Sequence, residues 1–271
     1  MICFPNCKIN LGLSITEKRN DGFHNLETIM YPLNLHDILE IIVAPDKQFE
    51  FNSTGINIPG DSANNIVVKA FELLQANHQL PPVKIHLHKI IPMGAGLGGG
   101  SSDAAFTIKL LNDLFNLRLS VSTMQDYAGR LGSDCPFFIK NKAVLASNTG
   151  DQFEPLNLNL KKFFFAIVAP KIHINTPEAY SWIKPKFKQT SLQTIISYPI
   201  DQWKQNLTND FEIEVFKRFQ EIEKIKENLY NAGAIYASMS GSGSAVYGIF
   251  NNPVSLTNKF SEYYYWPGMG S

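Results

Sequence analysis

Polar and apolar residues alternate through "KINLGLSITEKR", which predicts an early β-strand. Asn20-Asp21-Gly22 then predicts a turn in "NDGFHN", since these residues tolerate positive φ. "HDILEIIVAP" and "VKIHLHKIIP" predict two further strands. Between them, Val67, Phe71 and Leu74 recur at helical spacing, with Asn64 or Asn65 as the cap. Ala104, Ala105, Ile108, Leu111, Leu114 and Phe115 mark one face of a second helix. A third begins at Ser122: Ser122 and Gln125 have capping-box spacing, and Gly132 lies just past the end. Strands resume at "FFIKNKAVLAS" and "KKFFFAIVAP", either side of a turn at Gly150. "NTPEAYSWI" opens a helix with Pro177 in its first turn, and the polar stretch Lys184–Ser191 predicts loop. "FEIEVFKRFQEIEKIKENLYNAG" reads as one long helix ending at Gly233, its charges on a solvated face. "AIYASMSGSGSAVYGIF" reads as strand, glycine-serine turn and strand. The mixed order of elements predicts an α+β fold rather than a regular βαβ repeat. A polar seam around Leu156 to Lys162 divides the chain into domains 1–160 and 161–271.

Composition narrows the function without naming it. The 271 residues carry 24 basic and 24 acidic side chains, so the totals give no footprint for nucleic acid or an anionic membrane. Cys3, Cys7 and Cys135 are odd in number and lack zinc or CxxC spacing, which predicts reduced thiols in a cytoplasmic protein. The start "MICFPNCKINLGL" does not read as a signal peptide, and no apolar run approaches the ~18 residues of a membrane span.

The candidate chemistry lies in "PMGAGLGGGSSDAA", where Gly94 to Gly100 hold five glycines in seven positions. Gly94, Gly96 and Gly99 match the dinucleotide spacing, but no acidic residue closes a second parallel strand about twenty residues on. A Walker lysine is also absent. The physical reading that survives is a phosphate cradle. Glycines let the backbone approach an anion closely, and the following helix turns its positive end to the same point. Ser101 and Ser102 add hydroxyls there, while Asp103 either caps the helix or sits near a metal on the phosphates.

This stretch resembles the phosphate-binding signature of the GHMP small-molecule kinases. "NCKINLGLSI", "KRNDGFHNLETIM", "LGSDCPFFI" and "SMSGSGSAVYGIF" resemble other motifs of that family, so the resemblance runs from Asn6 to Phe250. It points to the branch whose acceptor is a methylerythritol carrying cytidine diphosphate. The fold it implies has an N-terminal domain like domain 2 of ribosomal protein S5 and a ferredoxin-like C-terminal domain. The implied reaction moves the γ-phosphoryl of ATP, with Mg2+, to the 2-hydroxyl of that polyol in non-mevalonate isoprenoid precursor synthesis.

The resemblance assigns ATP to Pro92, Met93, Gly94, Ala95, Gly96, Leu97, Gly98, Gly99, Gly100, Ser101, Ser102 and Asp103. It makes Asp134 the base and Lys8 its partner near the acceptor hydroxyl. Asn10, two residues along the same strand, faces the same side as Lys8 and is assigned to substrate. Phe23 and His24 are assigned to the cytidine, with Tyr180 as a second wall. The family commonly has tyrosine where Phe23 stands, so stacking survives and a hydroxyl contact is lost. Gly241, Ser242 and Gly243 form a second loop near the phosphates, and Asn65 and Lys89 are candidates for the adenine pocket. Partners are thus small molecules, without nucleic acid or membrane. Three alternatives stay open: another GHMP kinase, a nicotinamide-dependent oxidoreductase suggested by the glycine spacing, and an RNA-binding module suggested by the S5-like domain. The Asp-Gly-Phe-His turn argues against the first, and zero net charge against the last.

Overall fold

The predicted alternation at the N-terminus is realised as long strands, seen in a computed structural model that describes residues 1–185 and 190–270. In chain order the strands are β1 Ile2–Cys3, β2 Asn6–Lys18, β3 His24–His36, β4 Ile38–Val43 and β5 Glu50–Gly55. Next come helix α1 Ile66–His78, β6 Val83–Lys89, α2 Gly99–Leu114, α3 Val121–Gly129 and α4 Cys135–Lys140. Strands β7 Val144–Ser147, β8 Gln152–Pro155 and β9 Phe164–Ala169 precede helices α5 Thr176–Ser181, α6 Leu192–Ile196 and α7 Trp203–Asn206. Helices α8 Phe211–Arg218 and α9 Gln220–Asn231 lead into β10 Tyr236–Met239, β11 Val246–Phe250 and β12 Tyr264–Met269. The fold is α+β, with two compact units.

The first unit comprises Met1–Cys7, Leu35–Met93 and Gly98–Lys142. Its sheet has the order β1-β4-β6-β5, with β5 parallel to β6 and the other pairs antiparallel. β6 alternates strictly, burying Val83, Ile85, Leu87 and finally Lys89. A lysine in that inward row needs a partner, because an unpaired buried ammonium is costly. Helices α1 and α2 pack together, and Asn65 Oδ1 caps α1 by accepting from Val67 N at 2.9 Å.

The second unit comprises Lys8–Asn34, Gly94–Leu97 and Ala143–Ser271. It holds a β2-β3-β7-β8 sheet and an antiparallel β10-β11-β9-β12 sheet. Apolar residues of α8 and α9, among them Phe211, Val215, Ile222, Ile225 and Leu229, join Leu13, Ile15 and Val246 in its core.

Several expectations need correction. Ser120 caps α3, accepting from Thr123 N at 3.1 Å, so the box at Ser122 and Gln125 is not the cap. "FFIK" is helical, within α4: Pro136 sits in the first turn, where its fixed φ suits a helix. Asn141, at φ +53°, then ends that helix before β7. The long C-terminal helix is two, broken at Phe219 (φ −132°, ψ 73°). The aromatic tail forms β12 on the edge of the second sheet, where Pro267 is tolerated because an edge strand has an unpaired side. Within the expected loop at Lys184–Ser191, residues 186–189 lie outside the described residues. None of the three cysteines is in a disulfide, and no helix among the described residues is long and apolar enough to cross a membrane.

Candidate active site

In the first unit the glycine stretch opens helix α2. Gly98 is the N-cap at φ +70° and contributes no side-chain cap. The first N–H groups of a helix lack partners within it, so this end is free to receive an anion. Gly99 must stay small: a Cβ there would lie 2.9 Å from Lys89 Nζ and 2.9 Å from Ile91 Cγ2. Beneath it Lys89 Nζ donates to Asp37 and, at 2.8 Å, to Asp103 Oδ2. Asp37 Oδ1 also accepts from the backbone N–H groups of Ile90 and Ile91. Burial, and next the Asp37 charge, raise the Asp103 carboxyl well above the usual range against the opposing pull of Lys89. Asp103 and Lys89 therefore hold the helix entrance from inside. Asp103 does not cap the helix, and Lys89, a candidate for the adenine pocket, is buried against the two aspartates. Asn65 likewise has its carbonyl committed to the α1 cap.

The candidate base belongs to the same unit. Asp134 flanks the N-terminus of α4, half-buried, with Cys135 N donating to Gly132 O at 3.1 Å behind it. Burial pushes the Cys135 thiol up to about 11, and a Ser101 hydrogen bond partly opposes this. Helices α2 and α4 pack together, and Asp134 stands at the start of α4. In the first turn of α2, Ser102 Oγ is buried without a hydrogen-bond partner. Pro92 is half-buried and Met93 exposed.

In the second unit Lys8 is only 4% exposed. Its Nζ donates to Asn10 Oδ1 at 2.6 Å and to Gly96 O at 3.1 Å. Ser240 Oγ reaches the same Gly96 carbonyl at 2.8 Å and accepts from Asn10 N at 3.2 Å. Asn10 Nδ2 donates to Thr28 Oγ1, whose hydroxyl donates to Gly12 O. Asn10, expected to contact substrate, is buried, and its amide holds Lys8 and Thr28. Segment Gly94–Leu97 is pinned on both sides, Lys8 N donating to Leu97 O at 2.9 Å and Ala245 N to Ala95 O at 3.1 Å. At Gly96 (φ +79°) a Cβ would lie 2.0 Å from Ser240 O, so only glycine allows this approach. Gly241 lies against Asn10 Oδ1, and Ser242 Oγ is 3.1 Å from Thr176 Oγ1. A Cβ on Gly243 would meet Met239 Sδ at 2.7 Å.

His24 and Tyr180 stack, ring centroids 5.1 Å apart, and Tyr180 meets Phe211 edge to face. Phe23 stands outside that stack, 65% exposed. Burial, then the Lys18 charge, lowers the His24 imidazole below its usual value, favouring the neutral ring. The segment Asn209-Asp210-Phe211-Glu212 is a part of the site's framework that sequence reasoning missed. Asn209 and Glu212 are buried and bonded to both flanks of Ser240 or to β10. The available signal was a polar Asn-Asp pair before an amphipathic helix, which reads equally as an ordinary cap.

Residues 65–142 match the GHMP kinases N terminal domain and residues 199–265 the GHMP kinases C terminal. A 4-diphosphocytidyl-2-C-methyl-D-erythritol kinase of Parabacteroides distasonis is 49% identical over 270 residues, covering 99% of each chain. One from Azobacteroides pseudotrichonymphae is 53% identical, covering 96% of this chain and 97% of its own. A crystal structure of 4-(cytidine 5'-diphospho)-2C-methyl-D-erythritol kinase aligns over 100% of both chains at 28% identity with a TM-score of 0.85. A mevalonate kinase at 17% identity, covering 100% of this chain and 99% of its own, has a TM-score of 0.75 and shows the shared fold.

Proposed function

The chain belongs to the GHMP kinases and, within them, to the 4-diphosphocytidyl-2-C-methyl-D-erythritol kinases, and from that premise we propose how its residues divide the work. The reaction is ATP-dependent phosphorylation of the cytidine-diphosphate-linked polyol in non-mevalonate isoprenoid precursor synthesis. The acceptor's 2-hydroxyl oxygen attacks the γ-phosphorus, the bond to the ADP oxygen breaks, and Asp134 receives the hydroxyl proton. Lys8 steadies the negative charge that gathers on the transferring group. The uncapped start of α2 holds the donor phosphates through backbone N–H groups. The observation that best supports this reading is the shared use of the Gly96 carbonyl by Lys8 Nζ and Ser240 Oγ. It ties an ammonium to the glycine stretch that the reading gives to phosphate. The domain boundary near residue 160, with ATP binding and catalysis in 1–160, is part of the same proposal.

Magnesium fits this arrangement as an ion carried in on the nucleotide. It takes hard oxygen ligands and keeps waters and phosphates among them. Ser102 Oγ, buried without a hydrogen-bond partner in the first turn of α2, is the side-chain oxygen suited to meet it. Bound there, the ion would offset the charge of the phosphates.

ADP release from purified protein with ATP, magnesium and 4-diphosphocytidyl-2-C-methyl-D-erythritol tests the assignment. Turnover well above the rate without acceptor is expected, and none above that background would overturn it. At the cytidine end, His24→Ala removes one face of the stack and a polar edge. An aromatic contact of this kind contributes about 1 kcal/mol, so KM for the acceptor should rise about fivefold to tenfold. KM for ATP should stay unchanged. An equal rise for both substrates would remove His24 from the cytidine end.

A further inference from the structure

Asn209 is buried at 2% exposure, immediately before helix α8. Its Oδ1 accepts from Phe211 N at 3.0 Å, serving the helix start. Its Nδ2 donates twice, to Met239 O at 2.9 Å and Gly241 O at 2.8 Å. These are the carbonyls on either side of Ser240. The amide orientation follows from the partners, since an N–H must face oxygen and a carbonyl must face nitrogen. Capping the helix would need only an acceptor, which aspartate, serine or threonine also supply. An amide adds two donors, and here both are spent on bracketing one residue of the glycine-serine loop.

The bracketed residue matters. Ser240 Oγ meets the Gly96 carbonyl that also accepts from Lys8 Nζ, and it accepts from the backbone of Asn10. The segment that presents Asn209 is itself stitched to β2, the strand carrying Lys8. Leu13 N donates to Thr208 O at 3.0 Å, Asp210 N to Leu13 O at 2.9 Å, and Ile15 N to Asp210 Oδ2 at 2.8 Å. Glu212 adds a second hold on β10, Oε1 accepting from Met239 N at 2.9 Å and Ser238 Oγ at 3.1 Å. One short segment thus fixes both Lys8's strand and the loop opposite.

We infer that Asn209 is a positioning residue for phosphoryl transfer: by bracketing Ser240 it sets the Gly96 carbonyl against Lys8. The inference rests on the functional reading above for its consequence in catalysis. Asn209→Asp isolates the bracket, because it keeps an acceptor for Phe211 N and removes both donors. Displacement of the loop on the scale of 1 Å should lower kcat/KM about 10²-fold. Leu229→Ala, a core truncation on α9, is the control for stability alone. Both variants, with Asn209→Ala as a second truncation, are assayed well below their Tm. Amide hydrogen exchange over residues 241–244 is measured alongside, without substrate.

The bracket is supported if both Asn209 variants lose activity and exchange faster over the loop while Leu229→Ala does neither. It is overturned if Asn209→Asp stays within about threefold of wild type. It is also overturned if loop exchange is unchanged, or if Leu229→Ala reproduces the losses at a similar drop in Tm. Should the wild type itself fail to release ADP, the functional reading falls, and loop exchange in Asn209→Asp alone decides the bracket.

Discussion

Asp134→Asn should lower turnover by about 10²- to 10⁴-fold while ATP affinity stays within about threefold of wild type. The variant keeps the shape of the side chain and removes its negative charge and its ability to accept a proton. Asp134 sits where the chain turns into α4, and Cys135 behind it is buried, its N–H donating to Gly132 O. The backbone at this point is therefore held independently of the carboxylate. A neutral amide should leave the phosphate cradle intact, so the loss falls on kcat and calorimetric titration with ATP is nearly unchanged. Turnover within about fivefold of wild type would remove Asp134 as base and leave positioning and charge as the sources of catalysis.

Lys89→Met should destabilise the protein by about 3–5 kcal/mol, because it leaves the buried Asp37 and Asp103 without their shared cation. Asp103→Asn should have the opposite character. Asp37 collects two backbone donors besides the ammonium, whereas Asp103 Oδ1 has no hydrogen-bond partner. Burial raises the Asp103 carboxyl in the folded state, so the native protein holds a proton that the unfolded chain releases. Stability from this group is full below the ordinary aspartate value of about 4 and is lost as pH rises toward the folded value. Asparagine cannot titrate, so the stability of Asp103→Asn relative to wild type should increase with pH above about 4. Urea unfolding of the three proteins between pH 4 and 8 measures both effects. A pH-independent difference between wild type and Asp103→Asn would mean that Asp103 is not the group holding the proton.

The contrast between these two aspartates also marks what local sequence carries. Asp134 lies in a short motif whose neighbours specify a turn, and the glycines, Ser101 and Ser102 announce a helix start and an anion. The pairing of Lys89 is not legible locally, because its partners come from residues 37 and 103, brought together by the fold. Asn209 escapes a local reading for the same reason, since its donors run to Met239 O and Gly241 O. The break at Phe219 left no trace in periodicity. Val215 and Ile222 are seven apart, so the apolar positions stay in phase across it. "FFIK" is short and apolar, a length at which strand and buried helix look alike.

The bond from Asn10 N to Ser240 Oγ joins residues 230 apart, and Lys8 Nζ reaches Gly96 O across 88. Closing loops of that size carries an entropic cost before any contact offsets it, and long-range topologies fold slowly. A nascent chain halted before residue 240 cannot assemble the arrangement around Lys8, however well its early strands have formed. Refolding followed by activity should therefore lag behind refolding followed by helix content.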